Sequence, residues 1–226
     1  MQRRPGGTLS RRPLHLIWIL DASGSMRVDG KIQALNVAIR ETIPHLAAAA
    51  ADNPGSELFA RAIAFSTSAR WHIAAPTPIA DVRWTDVTAD GRTAMGEALA
   101  MVASEMKSPP MPERAVSPVL VLVTDGYYTD DFDAGLRTLL AEEWGREARR
   151  LSISIGRDVS RRALTAFIGD EAIEPLQANN PEALVRQIRW ASLSGVQSSS
   201  QTLDDGERRR LHHAQAAAPA AASDEW

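Results

Sequence analysis

Three short segments carry side chains that could act together on a metal ion. The first is Asp21-Ala22-Ser23-Gly24-Ser25, directly after the apolar run 14–20. Alternate residues of a tight loop can converge, so Asp21, Ser23 and Ser25 can face one point, and Gly24 lets the backbone turn closely. All three offer oxygen, the donor atom that hard divalent cations take. The second is Asp125-Gly126, one residue beyond the aliphatic run 119–123, and the third is Gly91-Arg92-Thr93, just ahead of a helical pattern. Each has an ordinary explanation when taken alone. Asp21 can be a loop acid or helix cap, Asp125-Gly126 a strand-end turn, and Thr93 an N-cap with Glu97 nearby. Their joint placement is more informative, because open α/β sheets gather ligands at the carboxyl ends of their strands.

The elements that must position these residues are visible in the hydrophobic pattern. The apolar run 14–20 and the unbroken aliphatic run 119–123 are as expected of strands buried on both faces. Ile32, Leu35, Ile39, Ile43 and Leu46 recur at helical spacing and predict a helix that stops near Asn53-Pro54-Gly55. Further strands are expected over 58–65, 70–74, 151–155 and 172–176. Helices are expected over 94–106, 132–149, 160–167 and 181–190, and the four prolines of 108–118 mark a loop. Strands alternating with helices predict a doubly wound α/β fold with a mostly parallel sheet. If the first and fourth strands are neighbours, Asp125 lies beside Asp21. The expected division is a disordered arm over 1–13, one domain over 14–194, and a flexible tail over 195–226.

Bulk composition narrows the function classes. The chain has 226 residues, 44% of them hydrophobic, a net charge of -3 and no cysteine. One core can be built, and neither a thiolate metal site nor a disulfide framework is available. The charge balance argues against nucleic-acid and membrane partners. Arg3, Arg4, Arg11 and Arg12 precede the apolar run 14–20 and imitate a twin-arginine export signal. That run is short for a signal, contains His15, and leads into Asp21 with no small-residue cleavage site. A cytoplasmic setting is therefore expected. Catalytic templates are missing: there is no G-x-S-x-G elbow, no H-E-x-x-H, no Walker lysine loop and no dinucleotide fingerprint. His15, His45 and His72 are expected to be structural or exposed.

In order, spacing and strand context, Asp21-x-Ser23-x-Ser25, Thr93 and Asp125-Gly126 resemble the metal-ion-dependent adhesion site (MIDAS) of von Willebrand factor A (VWA) domains. The resemblance covers about residues 14–192. Gly91 to Leu99, Thr124 to Asp130 and the closing Trp190-Ala191-Ser192 are most similar to the bacterial tellurium-resistance branch, which has Glu-Pro where this chain has Tyr127-Tyr128. The resemblance implies that Ser23, Ser25 and Thr93 contact a divalent cation through neutral hydroxyls. Asp21 and Asp125 would then act largely through water or as one close contact. It implies magnesium, with manganese and calcium as alternatives, and a partner protein that supplies Asp or Glu to the metal. Members of that branch are often associated with a protein kinase and a metal-dependent phosphatase, which implies a stress-response or signalling setting. Tyr127, Tyr128 and Asp130 are expected at the partner-binding rim. The rival readings are an accessory subunit of an AAA+ ATPase assembly and a metal-dependent hydrolase or phosphotransferase. A phosphotransferase would carry a second acid where this chain has Ser23.

Overall fold

The computed structural model describes residues 11–200, apart from 54, 157, 158 and 171, and apart from the side chains of 198–200. Six strands form one sheet: β1 (Arg12–Asp21), β2 (Ser56–Phe65), β3 (Ala69–Pro78), β4 (Val116–Thr124), β5 (Arg149–Ile155) and β6 (Leu176–Ala178). Their order is β3-β2-β1-β4-β5-β6. β3 runs antiparallel to β2 and every other pair is parallel. The six helices are α1 (Lys31–Ala51), α2 (Met95–Glu105), α3 (Phe132–Ala141), α4 (Glu143–Glu147), α5 (Arg161–Ile168) and α6 (Pro181–Ser200). This is the expected doubly wound α/β architecture.

Side chains that alternate along the central strands build two cores. Leu14, Leu16, Trp18 and Leu20 of β1 pack with Val119, Val121 and Val123 of β4 against α1 and α6. Ile17 and Ile19 pack with Leu120 and Leu122 against α2, α3 and α5. The unbroken apolar stretches 16–20 of β1 and 118–123 of β4 are what two covered faces demand. The fully buried Trp18 indole in the first core is satisfied, since it donates to Ser192 Oγ at 3.1 Å. This contact anchors α6 to the strand that ends in Asp21.

Several element boundaries differ from those expected. β3 reaches Pro78, further than its apolar pattern suggests, as an edge strand paired on one side only. The helix expected over 132–149 is two helices, broken at Glu142, whose backbone is extended. Gly145 sits so close to the Leu139 carbonyl that any side chain there would collide with it. The last strand lies at Leu176–Ala178, a few residues after the predicted position. α6 continues through Ser200, beyond the expected boundary at 194, and buries Val196. The rest of the expected tail and residues 1–10 of the expected arm lie outside the described residues. Among the described residues, no helix is long and apolar enough to cross a membrane.

His15 in β1 is buried, as expected of a structural histidine. Its ring stacks on Phe59, and its Nε2 has no hydrogen-bond partner. Burial, helped by the positive charge of Arg61, lowers its pKa from 6.5 to about 4. The unfolded chain therefore takes up a proton at a higher pH than the folded chain does. Stability present above pH 6.5 is lost as the pH falls toward 4. Relative to His15→Leu, the wild type is expected to lose about 2 kcal/mol between pH 7 and pH 5. Denaturant unfolding of both proteins across this range checks it, and parallel pH curves would refute it.

Candidate metal-ion site

The parallel pairing of β1 with β4 brings two of the three segments together. Leu20 pairs with Val123, so the next residues, Asp21 and Thr124, lie side by side where the strand order reverses direction. This switch point is the usual ligand crevice of such sheets. Asp21 is fully buried, and one of its carboxylate oxygens accepts from the Ser23 amide at 2.8 Å. The other accepts from the Thr124 hydroxyl. Ser23 Oγ lies 3.0 Å from Ser25 Oγ. Ser25 Oγ donates to Asp125 Oδ1 at 2.6 Å. Asp21, Ser23, Ser25 and Asp125 thus form one continuous polar chain across the crevice.

The third segment is fastened to the other two through its backbone. The Gly24 amide donates to the Gly91 carbonyl at 3.0 Å, and the Asp90 amide donates to the Ala22 carbonyl at 2.8 Å. Gly91 takes a positive φ of 72°, and a side chain there would strike the Thr67 hydroxyl. Thr93 is buried, and its backbone is clamped to Thr129. Its amide donates to Thr129 Oγ1 at 3.1 Å, and its carbonyl accepts from the Thr129 amide at 2.9 Å. Capping of α2 by Thr93, the ordinary explanation for this residue, is not what the structure shows. The cap position is Ala94, and Asp130 accepts from the amides of Gly96 and Glu97 at 3.0 and 2.8 Å.

The rim residues divide by role. Tyr127 is 64% exposed beside the crevice. Tyr128 instead stacks on Phe132 at 5.1 Å between ring centres, and its hydroxyl accepts from Arg162. Asp130 carries the α2 cap. Asp131 caps α3 through the Ala134 amide and Asp133 lies in its first turn, so these two acids serve the helix start. Sequence reading missed three residues. Thr124 and Thr129 tie the site loops to one another. Lys31, the first residue of α1, places Nζ 2.9 Å from Asp125 Oδ2. The one local signal for Lys31 is a cation in the first helical turn, where the helix dipole disfavours it.

The donor set fits a hard cation. It brings together two carboxylates and the hydroxyls of Ser23 and Ser25, all oxygen, with the buried Thr93 on the loop fastened to them. Among the described residues, no three His, Cys, Asp or Glu side chains converge, so the alternative of a nitrogen-rich cluster is not offered. Burial raises the Asp21 pKa from 3.8 to about 6, against the lowering effect of its hydrogen bonds, and the negative charge of Asp125 adds to the rise. The protein therefore holds negative charge in a place that resists it, and a cation would relieve that cost. Ser25 is exposed and opens the site to solvent.

Solved structures with the same fold were found. A von Willebrand factor type A protein from Catenulispora acidiphila is 19% identical with a TM-score of 0.62. The likeness covers 82% of this chain and 43% of that one. The ArnB paralog VWA2 from Sulfolobus acidocaldarius is 16% identical with a TM-score of 0.58, over 79% of this chain and 44% of that one. The proximal thread matrix protein 1 of the mussel byssus, solved with a zinc-occupied MIDAS motif, is 14% identical with a TM-score of 0.61. There the coverage is 81% of this chain and 46% of that one. The chain thus has the fold of VWA domains and spans less than half the length of each of these structures. No family model matches it, and no curated protein matches it.

The raised pKa of Asp21 has a measurable consequence. A carboxyl that keeps its proton longer in the folded state makes the fold lose stability as pH rises from 3.8 to about 6. Asp21→Asn keeps an acceptor for Ser23 and removes the charge. In chelator it is expected to be more stable than wild type above pH 6, by roughly 2–3 kcal/mol, with no gain below pH 4. Denaturant unfolding at pH 3.5 and pH 7.5 reads this. A variant no more stable at pH 7.5 would show that the Asp21 charge carries no such cost.

Proposed function

We propose that this chain is a metal-dependent protein-interaction domain. In this reading Asp21, Ser23, Ser25, Thr93 and Asp125 hold a divalent cation, with magnesium favoured by the all-oxygen donors. The observation that carries it is the polar chain Asp21–Ser23–Ser25–Asp125 at the β1/β4 switch point, buried at Asp21 and open to solvent at Ser25. When bound, the cation supplies positive charge that an incoming carboxylate can meet. The protein's own part is to hold the hydroxyls in place through interlocked loops and to present the exposed Tyr127 beside the opening. Tyrosine at such a position is a good interface anchor. The partner is then a protein segment bearing Asp or Glu.

Two finer points belong to the same proposal. The likeness of 91–99 and 124–130 to the tellurium-resistance branch favours an adaptor in a bacterial stress-response or signalling system, acting in the cytoplasm. The partners there would be a protein kinase and a metal-dependent phosphatase. A binding role is also favoured over catalysis by the absence, among the described residues, of any histidine bonded to Ser23 or Ser25.

Calorimetric titration of magnesium and manganese tests the site. The wild type should bind and Asp125→Ala should not. Thr93→Ala should bind at least about tenfold more weakly, a change of ~1.4 kcal/mol. Because Asp130 caps α2, the Thr93→Ala melting temperature should stay close to that of the wild type. Binding to an array of Asp- and Glu-containing peptides, repeated with chelator, tests the docking step. Equal binding with and without chelator would overturn the metal-bridged mechanism.

A further inference from the structure

Lys31 sits where local energetics argue against it. It is the first residue of α1, at the positive end of the helix dipole. The first turn of α1 holds no acid, and Gly30 at the cap provides no side-chain bond. The chain reaches this point through two consecutive left-handed residues, Asp29 at φ 54° and Gly30 at φ 73°. A non-glycine residue rarely adopts that conformation. What the arrangement gains is tertiary: Lys31 Nζ reaches Asp125 Oδ2 at 2.9 Å, with side-chain exposures of 15% and 0%. Among the described residues, Lys31 is the cation in contact with either buried carboxylate of the site.

We propose that Lys31 is an internal counter-ion for Asp125 that a divalent cation must displace, and that it thereby sets the cation affinity of the site. The inference rests on the metal reading given above. Asp21 and Asp125 are joined through two serines and both are buried. Two such carboxylates repel, and removing the partner of a buried charge is costly. The Lys31 ammonium offsets one of the two charges, so the fold does not depend on an ion. The same ammonium opposes a divalent cation at Asp125 in two ways. It engages Oδ2, and it adds like charge within a few ångströms. Ser25 takes Oδ1, so both oxygens of Asp125 are engaged. The Lys31 side chain is not fully enclosed and its four-carbon stem is flexible, so the head group has a way out toward solvent.

The test uses the full chain, with magnesium and manganese titrated into wild type, Lys31→Met, Lys31→Gln and Lys31→Arg, alongside melting in chelator. Lys31→Met keeps the apolar stem and loses the charge. Lys31→Gln also keeps a donor for Asp125 and guards against a methionine variant that fails to fold. Both neutral variants should bind the ions at least about tenfold more tightly than wild type. Both should melt lower in chelator and recover in saturating magnesium. Lys31→Arg keeps the charge and should bind within a few-fold of wild type. Neutral variants that bind with unchanged or weaker affinity would overturn the counter-ion role while leaving the metal site standing. Failure of wild type and every variant to take up either ion would overturn the metal reading and this inference with it.

Discussion

The ladder between β1 and β4 ends both strands at the same level, with Leu20 opposite Val123, and the candidate site depends on that register. A parallel pair cannot be joined by a tight turn, so the two strands meet through long crossovers separated by much of the chain. Their ends are therefore free to carry loops of different origin into one crevice. A slip of one residue would move Thr124 away from Asp21 and turn Trp18 out of the first core, away from Ser192. The apolar packing that fixes the register also fixes the distance between Asp21 and Asp125. Fold stability and site geometry are in this sense one constraint.

Burying two carboxylates at a strand end opposes folding, and the surroundings show how the chain contains the cost. Asp21 has two local donors, Ser23 and Thr124, yet its pKa still rises, so hydrogen bonds do not fully replace water there. Asp125 has Ser25 and the charged Lys31. The hydroxyls between them are held by backbone bonds that interlock three loops: Ala22 with Asp90, Gly24 with Gly91, and Thr93 with Thr129. Rigid donors cost little to organise when a ligand arrives.

What the sequence made legible was the part written in local patterns. Apolar runs at 14–20 and 119–123 gave the central strands, and their shared edge placed Asp21 beside Asp125. The residues that sequence reading missed act through contacts distant in the chain. Lys31 looks like an ordinary surface lysine until α1 is seen to start next to Asp125, 94 positions away. Asp130 looked like a rim acid because nothing local says that it caps a helix 33 and 34 residues earlier. The break between α3 and α4 depends on how closely Gly145 approaches Leu139, which helical periodicity does not encode. The extension of α6 was hidden by its Ser-rich composition, although Val196 reaches the core.

The surroundings of Ser23 and Ser25 bear on the proposed binding role. A nucleophilic serine needs a base that takes its proton and a neighbour that orients the base. Here Ser25 donates to Asp125, whose other oxygen is engaged by Lys31, and no histidine is bonded to either serine among the described residues. Ser23 faces Ser25, a hydroxyl beside a hydroxyl. Both serines sit on a loop pinned by Gly24 to Gly91. Such hydroxyls can contribute neutral oxygen to a cation. The same two side chains beside a histidine would argue for turnover. Beside two buried carboxylates and a lysine they support binding.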